Sequence, residues 1–565
     1  MPYSRSPHWP AQLSTDLTVP ATNLFYNVEV SAERFPHKPF IVFYDTTVTF
    51  AEFKDEVERI AGFLQRECGV KAGDRVLICM QNSPQWLIAF YAILRANAVV
   101  VPVNPMNRTE ELRHYIEDSD ASTVFVAQDL YPRIQPLLGD AGGIGLEHAV
   151  VVTYSDYLKY PAGITPPDFV AVPRHIVNGP GVSYWADALE AGHMPGSLAA
   201  GPNDLCVMPY TSGTTGKPKG CMHTHHNVMR TAVGSVQWFG GTQDSIQLSV
   251  LPLFHVTGMQ LGMNAPLFSG ATVVMLSRWD RDVAARAIER YGITGWQSIS
   301  TMVVDFLSNP KLGDYDLTSL QWMRGGGAAM PRAVVKKLRE SVGVEYVEGY
   351  GMSETIAATH INPPHRPKPQ CLGIPTFDVD ARVIDPVNLK ELPQGQTGEI
   401  VVHGPQVMQG YWRNDSATRD AFIEIDGKRF LRTGDLGWVD DEGYYFMVDR
   451  LKRMINASGY KVWPAEVETL MYQHPAIKEV CVLGTFDAHR GETVKALVVP
   501  KPEQAEGLSA DDIIEWAREH MASYKAPRIV EFVEALPKSG SGKILWRELQ
   551  QREAANRAAP GDRNV

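Results

Sequence analysis

A chain of 565 residues is too long for a single hydrophobic core and points to roughly two to four domains. Its ordinary apolar content and good supply of aromatic residues exclude extensive disorder. A formal charge of -11 excludes a general nucleic-acid binder, which needs a basic field to displace counterions, yet local lysines could still hold a small anionic ligand.

The six cysteines stand apart at 68, 79, 206, 221, 371 and 481, never as C-x-x-C, so they read as reduced packing residues. The opening MPYSRSPHWP carries proline and charge where a signal peptide needs an apolar run. The most apolar stretch, 86–105, is broken by Arg95 and Asn97 and is no membrane span. A cytoplasmic protein with no transmembrane segment is expected.

In chain order, residues 48–68 turn amphipathic and helical, 74–80 read as a buried strand, 83–97 as a helix with Pro84 in its first turn, and 98–104 as a strand. After a proline- and glycine-dense excursion at 153–182, strand-like segments recur at 246–253 and 271–276, with a helix at 281–292. Such alternation predicts α/β layers with parallel strands. From about 376 to 449 short strands and turns predict a small β-rich subdomain. Beyond it lie helix 464–475 opened by proline, strands 478–484 and 494–500, and helix 509–521 capped by Ser509, a compact α+β unit.

The stretch YTSGTTGKPKG (210–220) has the hydroxyls, glycines and lysines of a phosphate-wrapping loop. It is not the loop of nucleoside triphosphatases: Gly213 and Gly216 are only two residues apart, and Pro218 disfavours a helix starting at Lys217. Downstream follow RGGGAAMP (324–331), GYGMSET (349–355), RTGDLG (432–437), DRLKRMINASGYKVWPAEVE (449–468) and PKSGSGKILWREL (537–549). Glu354 is a hard carboxylate suited to magnesium, and Asp435 could accept from both ribose hydroxyls.

In order, spacing and wording these motifs resemble the adenylate-forming superfamily of acyl-CoA synthetases, luciferases and peptide-synthetase adenylation domains, over about residues 25–550. The resemblance is closest to bacterial medium- and long-chain fatty-acyl-CoA synthetases. It implies a large N-terminal domain (1–449) with α/β subdomains at about 1–195 and 196–375 and the β-rich subdomain at about 376–449. A small mobile α+β domain (450–565) would follow, hinged at Lys452.

By the same resemblance, Thr211, Ser212, Gly213, Thr214, Thr215, Gly216 and Lys217 hold the β- and γ-phosphates, and Glu354 with Thr214 holds magnesium. Gly326, Gly327, Ala328, Ala329, Gly349, Tyr350 and Gly351 surround the adenine, Ser353 lies near the α-phosphate, and Asp435 and Arg450 meet the ribose. Lys543 reaches the α-phosphate and the substrate carboxylate, while Gly459 and Tyr460 leave room for the pantetheine arm of coenzyme A. The histidines of HTHH (His223, His225, His226) lack a nearby carboxylate or cysteine and are not expected to bind metal.

The stretch LPLFHVTGM (251–259) places His255 as a gate where amino-acid-activating relatives carry an aspartate, which disfavours an ammonium substrate. The candidate acyl pocket, Val256, Gly258, Met259, Gly262, Met263, Trp296 and Met302, is apolar, flexible or small and suits an alkyl chain. Met259 stands near where several long-chain relatives place a tryptophan gate, so chain length is open. No carrier-domain serine motif is found, and free coenzyme A is the expected acceptor. The expected protein is an ATP-, magnesium- and coenzyme A-dependent fatty-acid ligase acting through acyl-AMP. An aryl-acid ligase and an enzyme loading a carrier protein are the alternatives. Homodimerisation and transient membrane-surface contact are left open.

Overall fold

The computed structural model describes residues 6–139, 145–159, 163–211, 217–327, 330–450, 453, 455–457, 460–462, 464–487, 491–505, 507–538 and 544–558. These fall into two compact units. One comprises 1–381, 402–431 and 442–445; the other comprises 382–401, 432–441 and 446–565.

The first unit is built on two large sheets. Helix Phe50–Arg66 shows why the sequence was readable there. Thr49 and Glu52 form a reciprocal capping box, and Phe53, Val57, Ile60 and Leu64 recur on one face and are fully buried. Burying each of those side chains contributes roughly 1.5–3 kcal/mol. It packs on helix Pro84–Arg95, whose Ser83 hydroxyl accepts the Trp86 N–H and which is buried along nearly its whole length. Helix Pro84–Arg95 packs on a seven-stranded sheet ordered His223–Thr224, Leu205–Val207, Val99–Pro102, Arg75–Cys79, Thr123–Ala127, His148–Val152, Val182–Tyr184, while Phe50–Arg66 also meets strands Pro39–Phe43 and Thr46–Thr49. The last strand closes the proline-rich excursion, so that segment ends by extending the sheet.

The second sheet has nine strands: Ile374–Pro375, Ala357–Ile361, Tyr346–Met352, Trp322–Gly326, Gly295–Ser298, Ile246–Ser249, Thr272–Met275, Pro39–Phe43, Thr46–Thr49. Strands Tyr346–Met352 through Pro39–Phe43 run parallel, and the edges turn antiparallel. Parallel strands linked by helices leave their carboxyl ends open to a ligand, and Gly325, Gly326, Gly351 and Met352 lie at such ends in strands Trp322–Gly326 and Tyr346–Met352.

A short sheet of Asp380–Ile384, Gly398–His403, Phe422–Ile425, Lys428–Val439 and Tyr445–Arg450 contributes residues to both units. The second unit also holds a sheet ordered Tyr460–Val462, Ile455–Ala457, Gly491–Pro500, Ile477–Asp487, with Ile529–Phe532 pairing to Gly491–Pro500. Its core gathers Val462, Val467, Met471, Val482, Val498 and Ile513 from those strands and from helices Pro464–Met471 and Ala510–His520. Ser509 caps the latter helix through a box with Asp512. Among the described residues no helix is long and apolar enough to cross a membrane.

Candidate active site

Strands Trp322–Gly326 and Tyr346–Met352 pair in parallel and bring Gly326 opposite Gly349. A methyl group on Gly326 would stand 2.3 Å from the Gly349 carbonyl oxygen, so only glycine lets the strands approach here. Tyr350 is buried, its ring edge-on to His360 at 5.7 Å. Ala328 and Ala329 lie outside the described residues.

The next turn, Ser353–Thr355, is held in an uncommon backbone. Ile356 has φ +44° and Ala357 +110°, values that cost a branched or ordinary side chain of order 1–3 kcal/mol. Thr355 stabilises the turn: its hydroxyl accepts the Met352 N–H (3.0 Å) and donates to the Ala357 carbonyl (2.7 Å). The strain is spent directly beside Glu354.

Glu354 is held by two hydrogen bonds and its neighbour Ser353 by a third. The Tyr411 hydroxyl donates to its Oε1 at 2.9 Å, and the Met408 N–H donates to its backbone carbonyl at 2.8 Å. His223 Nε2 donates to the Ser353 carbonyl at 2.7 Å. Burial pushes the His223 imidazole down to about 4, so at neutral pH it serves as an uncharged donor. Strand Tyr210–Thr211 lies beside the Ser353–Thr355 turn and pairs with Lys219–Gly220. The residues on either side of 212–216 are therefore fixed. Tyr210 donates to Asp118 (2.6 Å), His114 Nε2 donates to the Pro218 carbonyl (2.8 Å), and the Lys219 ammonium sits 4.1 Å above the Tyr411 ring. Thr211 is half-buried and Lys217 exposed. Ser212, Gly213, Thr214, Thr215 and Gly216 lie outside the described residues.

The three histidines of HTHH go to separate partners. His225 Nδ1 accepts the Leu24 N–H at 3.0 Å, on the opposite errand from His223, and His226 is half-buried near Arg230.

Of the acyl candidates, Val256, Gly258, Met259, Gly262 and Met263 lie on one irregular helix, Trp296 on strand Gly295–Ser298 and Met302 on helix Ser300–Leu307. Val256–Met259 is α-helical, Gln260–Asn264 is a π-helix, and Ala265–Ser269 resumes the α form. Extra backbone bonds of this kind cluster at functional sites. Asn264 is tied to the Tyr91 hydroxyl at 2.6 Å, and Asn82 brackets the preceding loop through the Leu251 carbonyl and the Leu253 N–H, both at 2.9 Å. Added methyls on Gly258 and Gly262 would meet the Pro252 carbonyl at 2.3 Å and the Ser249 hydroxyl at 2.5 Å; the loop after strand Ile246–Ser249 crowds the first glycine and the strand's last residue crowds the second. Met259, Met263 and Trp296 are fully buried, Val256 nearly so, and Met302 half-buried. Trp296 stacks on Trp279 (5.1 Å, 9°) and meets Phe306 edge-on. His255 is exposed, precedes the helix, and lays its ring 4.5 Å from Phe254.

In the second unit, Asp435 is buried, and its N–H donates to the Thr433 hydroxyl at 3.0 Å. Glu399 fixes that turn. Its carboxylate takes two bonds from Arg432 (2.6 and 3.0 Å) and one from the Gly434 N–H (3.1 Å). Arg450 ends strand Tyr445–Arg450 and Tyr460 begins strand Tyr460–Val462. Arg453 pairs with Glu468 and donates to the Val482 carbonyl at 3.2 Å. Lys452, Gly459 and Lys543 lie outside the described residues. Tyr411, Glu348 and Glu399 were not read from the sequence as site residues, and His223 was read there only as a histidine not expected to bind metal. Tyr411 and Glu399 are far in sequence from the residues they bond, and Glu348, though next to Gly349, bonds residues 18 to 23 positions away.

The same fold recurs in o-succinylbenzoate CoA synthetase from Bacillus subtilis, solved with its acyl-adenylate intermediate (26% identity, TM-score 0.77, covering 94% of this chain and 99% of that one). The architecture is thus that of the adenylate-forming enzymes. The chain belongs to the AMP-binding enzyme family, which matches residues 28–412, with the family's C-terminal domain at 466–543. It is an acid–thiol ligase that works with ATP, magnesium and coenzyme A. A long-chain-fatty-acid–CoA ligase of Bacillus subtilis (strain 168) is 34% identical over 558 residues, 97% of this chain and 98% of the relative. A feruloyl-CoA synthase of Amycolatopsis is 34% identical over 525 residues, 92% and 96% of the two chains.

Proposed function

We propose that this ligase activates medium- or long-chain fatty acids. The observation that carries the reading is the apolar, methionine-rich segment 256–263, which follows His255 and brings no carboxylate with it. Methionine's flexible thioether adapts to an alkyl chain, and an apolar lining gives an ammonium group nothing to pair with. The long-chain relative supports the same choice.

The substrate carboxylate oxygen attacks the α-phosphorus of ATP; the bond to the β-phosphate oxygen breaks, and pyrophosphate leaves. Thr211 to Lys217 hold the departing phosphates, Tyr350 and Gly326 to Ala329 the adenine, and Asp435 and Arg450 the ribose. Lys543 meets the charge that accumulates at phosphorus, without covalent bonding. Glu354 and Thr214 would hold the magnesium, which supplies positive charge to the phosphate oxygens when bound. The C-terminal domain (450–565) then turns about Lys452, and the coenzyme A sulfur, entering past Gly459 and Tyr460, attacks the acyl carbonyl and expels AMP.

A second reading, an aryl or arylalkanoate ligase, is favoured by the flat Trp279–Trp296 stack and by the feruloyl-CoA relative. A panel of alkyl and aryl acids, scored by pyrophosphate release with and without coenzyme A, decides. Preference for C8–C18 alkyl acids and thiol-dependent AMP release are expected. Aryl acids winning would transfer the assignment, and AMP release without gain from coenzyme A would point to a carrier protein.

A further inference from the structure

Glu348 is a buried carboxylate just upstream of the GYGMSET motif whose three hydrogen-bond donors are all backbone amides. Its Oε1 accepts the Met330 N–H at 2.5 Å, and its Oε2 accepts the Gln370 N–H at 2.8 Å and the Cys371 N–H at 3.4 Å. It is 5% exposed, on strand Tyr346–Met352, with Gly325 as its partner in the neighbouring strand. Its own carbonyl accepts from Asn362 twice, through the backbone N–H (2.9 Å) and Nδ2 (3.1 Å); Asn362 Nδ2 also donates to Cys371, and its Oδ1 accepts the Lys368 N–H. One side chain therefore joins three segments: the end of the RGGGAAM run, the strand entering GYGMSET, and the loop that follows residue 362.

A carboxylate stripped of water is costly unless its lone pairs are taken up, and ionised acceptors make the stronger bonds to amides. Here no neighbouring strand needs those bonds for its own ladder: Met330 lies past the last paired residue, Gly326. What the carboxylate fixes is the position of Met330, with Gly326 itself already locked against the Gly349 carbonyl.

We propose that Glu348 is a positioning residue for the adenine: by holding Met330 on one side and Gln370 on the other, it fixes where Met330 stands relative to Tyr350 on its own strand, and so the room left for the base beside Tyr350. This rests on the adenylate-forming reading above. Base discrimination follows, because a slot held at both ends tells adenine from hypoxanthine by fixed backbone groups, whereas a loose one accommodates either.

The test is steady-state ATP–pyrophosphate exchange with ATP and ITP for the wild type, Glu348→Gln, Glu348→Asp and Tyr350→Ala, with melting temperature and hydrogen exchange of the 324–331 peptide. The glutamine keeps the shape but turns an N–H toward one amide; the aspartate keeps the charge and falls short of Met330. Both should raise KM for ATP about tenfold with kcat changed less than about threefold. Both should also narrow the ATP-over-ITP preference, speed exchange in 324–331, and leave KM for the acid unaltered. Should the glutamine protein not fold, the aspartate protein carries the test. Unchanged KM and base preference in folded Glu348 variants, with preference lost in Tyr350→Ala, would overturn the role of Glu348 and leave the adenine site standing. Base preference intact in all variants would instead overturn the placement of the adenine.

Discussion

The Tyr411 hydroxyl lies 2.9 Å from Glu354 Oε1, joining the segment after residue 404 to a glutamate 57 positions earlier. This bond aims a carboxylate that otherwise sits on a strained turn. Tyr411→Phe should therefore leave the fold intact and raise the magnesium needed for half-maximal ATP–pyrophosphate exchange by about tenfold or more, the worth of one hydrogen bond to a charged group. Glu354→Gln should go further, removing one ligand charge without changing size. Unaltered magnesium dependence in both would place the ion elsewhere.

Lys543→Ala should slow acyl-AMP formation by about a hundredfold or more, the usual effect of losing a charge contact made in the transition state. Consumption of presynthesised acyl-AMP by coenzyme A should survive far better. Equal loss in the two half-reactions, followed separately by pyrophosphate exchange and thioester yield, would remove Lys543 from its assignment to the first step.

Gly459→Leu should do the reverse, closing the pantetheine path while adenylation persists. A melting curve recorded alongside distinguishes a blocked tunnel from a strained loop, since a leucine at positive φ would harm both steps and stability together. A stable variant making thioester at the normal rate would show that coenzyme A enters by another route.

Acid should destabilise the first unit through its buried histidines. Burial pushes His223 and His225 down to about 4 and His360 to about 3. Unfolded histidine titrates near 6.5, so between about pH 6.5 and 4 the unfolded chain binds more protons than the folded one. Their stabilisation is complete above pH 6.5 and is lost as pH falls toward 4, about 3 kcal/mol each for His223 and His225. Glu56 opposes this, since burial raises it to about 7 and its protonation favours the fold as pH drops. In melts from pH 7 to 4, His225→Asn, which can still accept the Leu24 N–H, should flatten the slope by about one proton. An unchanged slope would mean that His225 is already charged in the folded protein.

Much of the fold was legible because its elements announce themselves locally. Ser83, Thr49 and Ser509 cap helices within three residues of what they bond, and the apolar stripe of 50–66 repeats at helical spacing. Strand Tyr210–Thr211, the Gly326–Gly349 pair and Glu354 all lie within motifs legible in the sequence. Their supports were not: Tyr411, Glu399 and Glu348 act on residues 57, 35 and 18 positions away, and nothing near them in sequence marks the partner. The π-helix was hidden for a different reason. Gly-Met-Gln-Leu-Gly-Met reads the same whether its carbonyls bond four or five residues on, and the choice is made by Tyr91 and Ser249 pressing from outside.

That π-turn gives the acyl segment an unusual relation to length. A turn of this kind holds one residue more than an ordinary helix, and both flanks are already α-helical. Deleting a single residue between Gln260 and Asn264 would let the helix close into regular form, moving the side chains upstream by about 100° around its axis relative to Asn264. Val256 and Met259 would then trade places with neighbours on another face, while Gly326 and Tyr350, borne on sheet strands, and Glu354, in the turn Ser353–Thr355, belong to other elements. On the proposed acyl role of 256–263, loss or gain of one codon here should change acid preference more than ATP affinity, and comparing the two in a one-residue deletion checks it.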